Sequence, residues 1–383
     1  MFELGDPELE ALGRVVRKGQ AFRYYEPSEC AAFEQSFAEY LGVPHVLLCS
    51  SGTAALVASL IGLGIGPGDE VIVPAVTYMA TATSVLSAGA IPVIVDVDTS
   101  LTLDPSALER AIGPRTRAVM PVHMWGLSAD MGAILRIAKD RNLLVLEDVC
   151  QAAGGAYQGK MLGSLGHAGA FSFNHFKNIT AGEGGAVSTS DPGVFERMRC
   201  AVDCCNYFWN GTTNGFRGFA SNSSRASEFE GAILRAQLQR LPNWLKVMRE
   251  HKARVLAETE DCLRSAPVHS PHDECATNIV FQFETAVAAS RFAAKTEGPV
   301  VSETGRHLYT RWAPVLEKRG AHHPLLDPFL LPANEGCRKD YTVDMCARSI
   351  DIASRSVLCA MNPFRTEKEI SELIARLRGA AKS

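Results

Sequence analysis

The chain has 383 residues, of which 46% are hydrophobic and 21% charged, with a net charge of −4. These values predict a soluble globular protein with a sizeable buried core, built as two domains or as one large domain with a satellite. They exclude the basic footprint of a nucleic-acid-binding protein, and Gly, Pro or a charge breaks every apolar run before the ~18 residues of a membrane span, so neither partner is expected.

The first residues, MFELGDPELEALGRVV, read as an acidic amphipathic helix rather than a leader peptide. Eleven cysteines are scattered without a paired CxxC motif, which predicts a reduced, cytoplasmic protein without a metal site. Cys204 and Cys205 are adjacent and read as ordinary loop thiols.

From His45 onward, short β-rich runs alternate with helical stretches. Strands are predicted at HVLLC (45–49), EVIVP (70–74), PVIVDV (92–97), RAVMPVH (117–123) and LLVLEDV (143–149). Helices are predicted between them, at GTAALVASLIGLG, TYMATATSVLSAG, PSALERAI and SADMGAILRIAKDRN. Asp104 before Pro105 has the form of an N-cap followed by proline at the first helical position. Apolar strands alternating with amphipathic helices predict an α/β fold whose mostly parallel central sheet is covered on both faces. Ligands of such sheets gather at the carboxyl ends of the strands, where Asp148 and the Ser50–Thr53 turn would lie.

The pattern changes near residue 190. Residues 203–225 are rich in Gly, Asn, Ser and aromatics and read as a long functional loop. Residues 226–265 read as helix with an interruption near Pro242, and a smaller α+β region follows, with a strand at NIVFQFE and a last helix at TEKEISELIARLRGAA. The expected boundary divides 1–245, an N-terminal arm and large domain, from a C-terminal domain at 246–383.

The chemistry concentrates between Leu143 and Thr189. Asp148 ends an apolar strand, Gln151 follows by one turn, Ser172 lies in the run GAFSF, and Lys177 precedes the Gly-rich GEGG. A carboxylate, a hydroxyl and a lysine on successive strand ends can hold a pyridoxal phosphate ring. The carboxylate keeps the ring nitrogen protonated, and the lysine forms a Schiff base with the aldehyde. Ser51-Gly52-Thr53 opens a helix, where N–H groups and the helix dipole favour an anion. Tyr78, at a strand-to-helix junction, can stack on a flat ring. Each residue alone also has a plain reading: a solvated loop lysine, a capping acid, an N-cap, a core aromatic.

In this order the motifs resemble the DegT–DnrJ–StrS family of pyridoxal-phosphate-dependent sugar aminotransferases. The likeness is carried by SSGTAAL, GPGDEVIVPAVTYMATATSVLSAGAIPVIVDVD, LEDVCQA, GAFSFNHFKNITAGEGGA and EFEGAILRAQLQRL. It implies the aspartate-aminotransferase-like fold (PLP fold type I) and a homodimer with shared active sites. It also implies transfer of an amino group from glutamate or glutamine to a keto-sugar, a sugar acid or a cyclitol ketone. By the same resemblance Lys177 is the Schiff-base lysine and proton shuttle, and Asp148 holds the ring nitrogen. Gln151 sits at the phenolic oxygen, Tyr78 on the ring face, and Gly52, Thr53 and Ser172 at the phosphate. The loop at 203–225 would reach the neighbouring subunit's cofactor.

The chain departs from the family pattern in places. Counting back from Glu228 puts Ser223 where the family has a phosphate-binding Asn, with Asn222 one place early, so either residue is a candidate for that contact. His167 replaces a common Asp. Candidate substrate contacts are Arg23, Tyr24, His175, His307 and Trp312. Two alternatives remain: a dehydrating or aromatising synthase of the 3-amino-5-hydroxybenzoate type, and a non-catalytic regulator that binds the same cofactor.

Overall fold

The computed structural model describes residues 4–205, 216–296 and 298–382. Residues 206–215 of the predicted 203–225 loop therefore lie outside the described residues. The chain opens with helices α1 (Asp6–Lys18) and α2 (Glu29–Leu41), then strand β1 (His45–Cys49) and helix α3 (Gly52–Gly62). Next come β2 (Glu70–Pro74), α4 (Ala80–Ser87), β3 (Ile91–Val95), α5 (Pro105–Ala111), β4 (Thr116–Val119), α6 (Met131–Asp140) and β5 (Leu144–Asp148). After the small hairpin of β6 (Ala156–Tyr157) and β7 (Lys160–Met161) follow β8 (Ala168–Ser172), β9 (Gly185–Thr189) and α7 (Pro192–Val202).

The main sheet has seven strands in the order β1-β9-β8-β5-β4-β2-β3. The pairs from β8 to β3 are parallel, and β9 runs antiparallel to both of its neighbours. Side chains alternate between its two faces. On β2, Ile72 joins the core under α2, α5 and α6, while Val71 and Val73 join the core under α3, α4 and α7. On β5, Val145 and Leu146 divide in the same way. The alternation carries on to the strand's last two residues, so the Glu147 and Asp148 side chains leave on opposite faces.

Several predicted elements stop short of their expected bounds, and two of them show why. The strand foreseen at 117–123 stops at Val119, because Pro121 has no N–H to give to the ladder. Only a single bridge, Val122 to Asp148, continues the pairing. The helix foreseen from Thr77 starts at Ala80, because the N–H groups of Thr77 and Met79 donate instead to the carbonyls of His307 and Arg306. The expected Asp104 cap is present, with its carboxylate accepting from the Ser106 N–H and Pro105 at the first turn.

One further difference concerns α8 (Glu228–Ala257), which runs unbroken through Pro242 and position 245. A proline inside a helix removes one hydrogen bond and costs about 3 kcal/mol. Burial of Leu238, Leu241, Trp244 and Leu245 around it offsets that loss. Beyond α8 a second, antiparallel sheet orders β10 (Arg264–Ser265), β11 (Asn278–Gln282) and β12 (Ser356–Ala360). Helices α9 (Ala286–Thr296), α10 (Ala347–Ser354) and α11 (Glu367–Ala381) accompany it. Among the described residues no helix is long and apolar enough to cross a membrane.

Candidate active site

A cavity of about 720 Å³ opens at the carboxyl ends of β2, β5 and β8. Its floor is Asp148, 3% exposed. One carboxylate oxygen accepts from the Thr81 hydroxyl at 2.8 Å, and the other from the Cys150 N–H at 3.1 Å. Because Thr81 donates to Asp148, the Thr77 hydroxyl 2.7 Å away must donate to Thr81, so a relay of two hydroxyls ends on the acid. Among the described residues Asp148 has no ion-pair partner, although burying a carboxylate without a cation is costly. A cationic group entering the cavity would meet it.

The wall beside it is the start of α3. The Ser51 hydroxyl caps this helix by accepting from the Ala54 N–H at 3.1 Å. The N–H groups of Gly52 and Thr53 have no partner within the helix, and both residues line the cavity. A Cβ on Gly52 would lie 2.6 Å from Ser172 Cβ, so glycine is what lets β8 approach the helix N-terminus. The result is a cradle of two N–H groups and the Ser172 hydroxyl, suited to an anion.

Lys177 sits at the end of a turn in which its N–H donates to the Asn174 carbonyl at 2.9 Å. The turn that returns to β9 uses Gly182 and Gly184 in left-handed conformations (φ 84° and 137°), as the Gly-rich GEGG predicts. Cys150 also lines the cavity, and burial first, then the charge of Asp148, pushes its thiol well above the usual range, so it remains a neutral thiol. Gln151 accepts the Trp125 N–H on its side-chain oxygen at 3.3 Å. Tyr78 stands at the mouth, with the Arg306 guanidinium 5.3 Å from its ring centre and the His307 ring 5.9 Å away. Burial, followed by the positive charges of Lys177 and Arg306, lowers the His307 pKa from its ordinary value, and the nearby Thr304 carbonyl opposes this only in part, so the ring is neutral near pH 7.

The cavity thus brings together Gly52, Thr53, Tyr78, Asp148, Gln151, Ser172, Lys177 and His307. It does not include the other named candidates. Arg23 and Tyr24 line a separate cavity, where Arg23 is bound to Glu34 at 2.6 Å and to the Leu48 carbonyl, and Tyr24 to Asp203. His175, whose backbone N–H donates to the Gly182 carbonyl, packs edge-on against Phe176. Trp312 is fully buried, and its indole N–H donates to the Arg306 carbonyl, so it supports the wall from behind. Asn222 and Ser223 are exposed and outside the cavity of their own chain. Sequence reasoning passed over Thr81, Trp125, Asn278 and Arg306. Thr81 and Asn278 lie within the predicted runs TYMATATSVLSAG and NIVFQFE, but neither carries a signal of its own at the level of spacing.

A parallel-stranded α/β sheet with a lysine, a buried acid and a helix N-terminus at its strand ends is the arrangement of the aspartate-aminotransferase-like enzymes. Residues 3–298 match the DegT/DnrJ/EryC1/StrS aminotransferase family, and the chain belongs to that family. It is 45% identical over 218 residues to the GDP-perosamine synthase of Caulobacter vibrioides, covering 56% of this chain and 57% of that protein. It is 40% identical over 248 residues to the 3-amino-5-hydroxybenzoate synthase of Amycolatopsis mediterranei, covering 64% of this chain and 63% of that one. The chain thus spans 57% and 63% of the length of these two relatives. The crystal structure of S. venezuelae DesV in complex with a ketimine intermediate superposes with a TM-score of 0.77 at 30% identity, covering 98% of this chain and 94% of that one.

The cavity fits pyridoxal phosphate, the cofactor that the family implies. Asp148, without an ion-pair partner among the described residues, suits a protonated ring nitrogen, the cradle around Gly52 suits the phosphate, and Lys177 lines the same cavity.

Proposed function

We propose that the protein is a pyridoxal-phosphate-dependent aminotransferase. It would move an amino group from glutamate or glutamine to a keto-sugar or a related sugar-acid or cyclitol ketone. The observation that carries this reading is Asp148, a buried carboxylate without a cationic partner among the described residues, in the cavity that also holds Lys177. When bound, the cofactor supplies an electron sink that eases removal of a proton from the amino-bearing carbon. Asp148 keeps the ring nitrogen protonated, and Thr77 and Thr81 orient its carboxylate through their hydroxyls. Gly52, Thr53 and Ser172 bind the phosphate. The side-chain oxygen of Gln151 is engaged by Trp125, so its NH₂ group is left to donate to the phenolic oxygen. Tyr78 would pack on the ring. Lys177 would hold the cofactor through its Nζ and would there accept and return the proton that the reaction moves.

Two assignments concern the assembly and its setting. We propose a homodimer in which Asn222 or Ser223, exposed on its own chain, contacts the phosphate in the neighbouring copy. All eleven cysteines are free, which supports a reducing, cytoplasmic setting.

A second reading follows from the likeness to 3-amino-5-hydroxybenzoate synthase, since the same residues would serve dehydration and aromatisation. Incubation with glutamate or glutamine and a panel of keto-sugars, sugar acids and cyclitol ketones separates the two. Transfer predicts one equivalent of the keto acid, or its amide, for each amine formed. Loss of water without donor turnover would establish the synthase reading instead.

A further inference from the structure

Six described residues other than glycine have positive φ, and of these Trp125 alone lines the cavity (φ 52°, ψ 29°). The left-handed region is unfavourable for an aromatic residue and persists only where the surroundings enforce it. Here they do. The Trp125 carbonyl accepts from the Thr277 hydroxyl at 2.8 Å and from the Asn278 amide at 3.3 Å. The next carbonyl, of Gly126, accepts from the Cys275 N–H at 3.2 Å. Gly126 is itself left-handed (φ 84°), and a Cβ there would lie 2.4 Å from the Thr277 hydroxyl oxygen. The turn is therefore clamped from the 275–278 segment leading into β11.

The clamp aims one group at the cavity. The Trp125 N–H donates to the side-chain oxygen of Gln151 at 3.3 Å. A primary amide has an acceptor end and a donor end. With the acceptor end taken by a backbone donor, the NH₂ end is left for the cavity. The flipped amide would set NH₂ against N–H, two donors facing each other.

We propose that the Trp125–Gly126 turn is a positioning element that fixes the orientation of the Gln151 amide, and that Thr277 is the side chain holding the turn in place. This rests on the proposed cofactor, whose phenolic oxygen would receive the Gln151 NH₂. A donor there stabilises the deprotonated phenolic oxygen and lowers the proton affinity of the Lys177 nitrogen beside it. A flipped amide would set lone pair against lone pair and raise that affinity.

The test is the pH titration of the visible absorption band of the holoenzyme. In Thr277→Val the hydroxyl is lost at nearly constant volume, and the midpoint is expected to rise by about one pH unit, a tenfold change in proton affinity. Thr277→Ser restores the donor and is expected to return the midpoint to the wild-type value. Trp125→Gly keeps the N–H and takes positive φ without strain, so its midpoint is also expected to stay at the wild-type value. Asn278→Ala, which removes the second donor to the same carbonyl, is expected to shift the midpoint upward by less and serves if Thr277→Val does not fold. The inference is overturned if Gln151→Leu moves the midpoint while Thr277→Val and Asn278→Ala do not. It is equally overturned if Trp125→Gly moves it as far as Thr277→Val, since the indole and not the backbone would then be responsible. A wild-type protein that forms no visible band with pyridoxal phosphate would overturn the proposed function. A normal wild-type band with an unmoved variant overturns only the inference.

Discussion

Two neighbouring acids at the end of β5 divide the molecule into a closed side and an open side. Glu147 is fully buried and accepts four hydrogen bonds: from His123 at 3.2 Å and from the N–H groups of Gly163, Leu165 and Gly166 at 2.7–2.9 Å. Asp148 is nearly as buried, but it accepts only two from side chain and backbone and faces a cavity. Burial is common to both and so does not mark function. What differs is leftover acceptor capacity and space for a cation. Glu147 organises the loop after β7, while Asp148 keeps acceptor capacity that faces the cavity.

The sharpest way to break this comparison is to remove groups on the open side. Lys177→Ala is expected to lower kcat/KM for amino transfer at least ~10⁴-fold, since it removes both the nucleophile and the proton carrier. A borohydride-treated variant should carry no pyridoxyl label on any peptide, and a variant that still labelled would refute the assignment. Asp148→Asn keeps the volume and removes the charge, with an expected loss of about 10²–10³-fold in kcat/KM. Its unfolding midpoint in the absence of cofactor should barely change.

The closed side should answer in the opposite way. Glu147→Gln keeps one oxygen for a pair of the N–H donors but sets its NH₂ group against the other pair. The expected cost is about 3 kcal/mol of unfolding free energy, read by denaturant titration. Activity per folded molecule should remain near the wild-type value. A Glu147→Gln protein of normal stability but lost activity would erase the distinction between the two faces. A smaller effect is expected from Gly52→Ala, whose Cβ would press on Ser172. Moving α3 away from β8 far enough to relieve that contact should weaken cofactor binding about tenfold, or ~1.4 kcal/mol, in an equilibrium titration.

How much of this was legible follows the same division. The parallel strands show in sequence because each is a continuous apolar run, and β1 and β2 have the predicted bounds. The open side shows because its chemistry needs unusual residues at strand ends. Glu147 did not show, because its partners are backbone N–H groups of a loop some 16–19 residues away, which no spacing rule connects to it. The unbroken α8 was hidden for a related reason: Pro242 is a local signal, and tertiary burial outweighs it. The rim was hardest. Trp312 has the composition of a substrate contact yet lies behind Arg306, a placement that depends on how 306–312 crosses the 75–79 segment.

Histidines repeat the contrast and provide its subtlest test. His123, on the closed side, accepts the Ala129 N–H on Nδ1, so its proton sits on Nε2 and is donated to Glu147. His307, on the open side, has a buried Nδ1 without a partner among the described residues. Its pKa is held below the ordinary histidine value, first by burial and then by Lys177 and Arg306. In the unfolded chain it titrates near ~6.5. Below that pH the unfolded state binds more protons than the folded one, so the stability associated with the neutral ring is complete above about pH 6.5 and is lost as the pH falls through the folded value. Buried carboxyls such as Glu34 and Glu274, whose pKa values are raised by burial, act in the opposite sense, so the informative quantity is a difference between two proteins. The denaturant midpoint of His307→Gln relative to wild type should be constant from pH 8 to about 6.5 and rise towards pH 5. A difference that stayed flat would mean that His307 gains a proton as readily folded as unfolded, and the open side would then already hold the negative partner that the structure leaves to an incoming ligand.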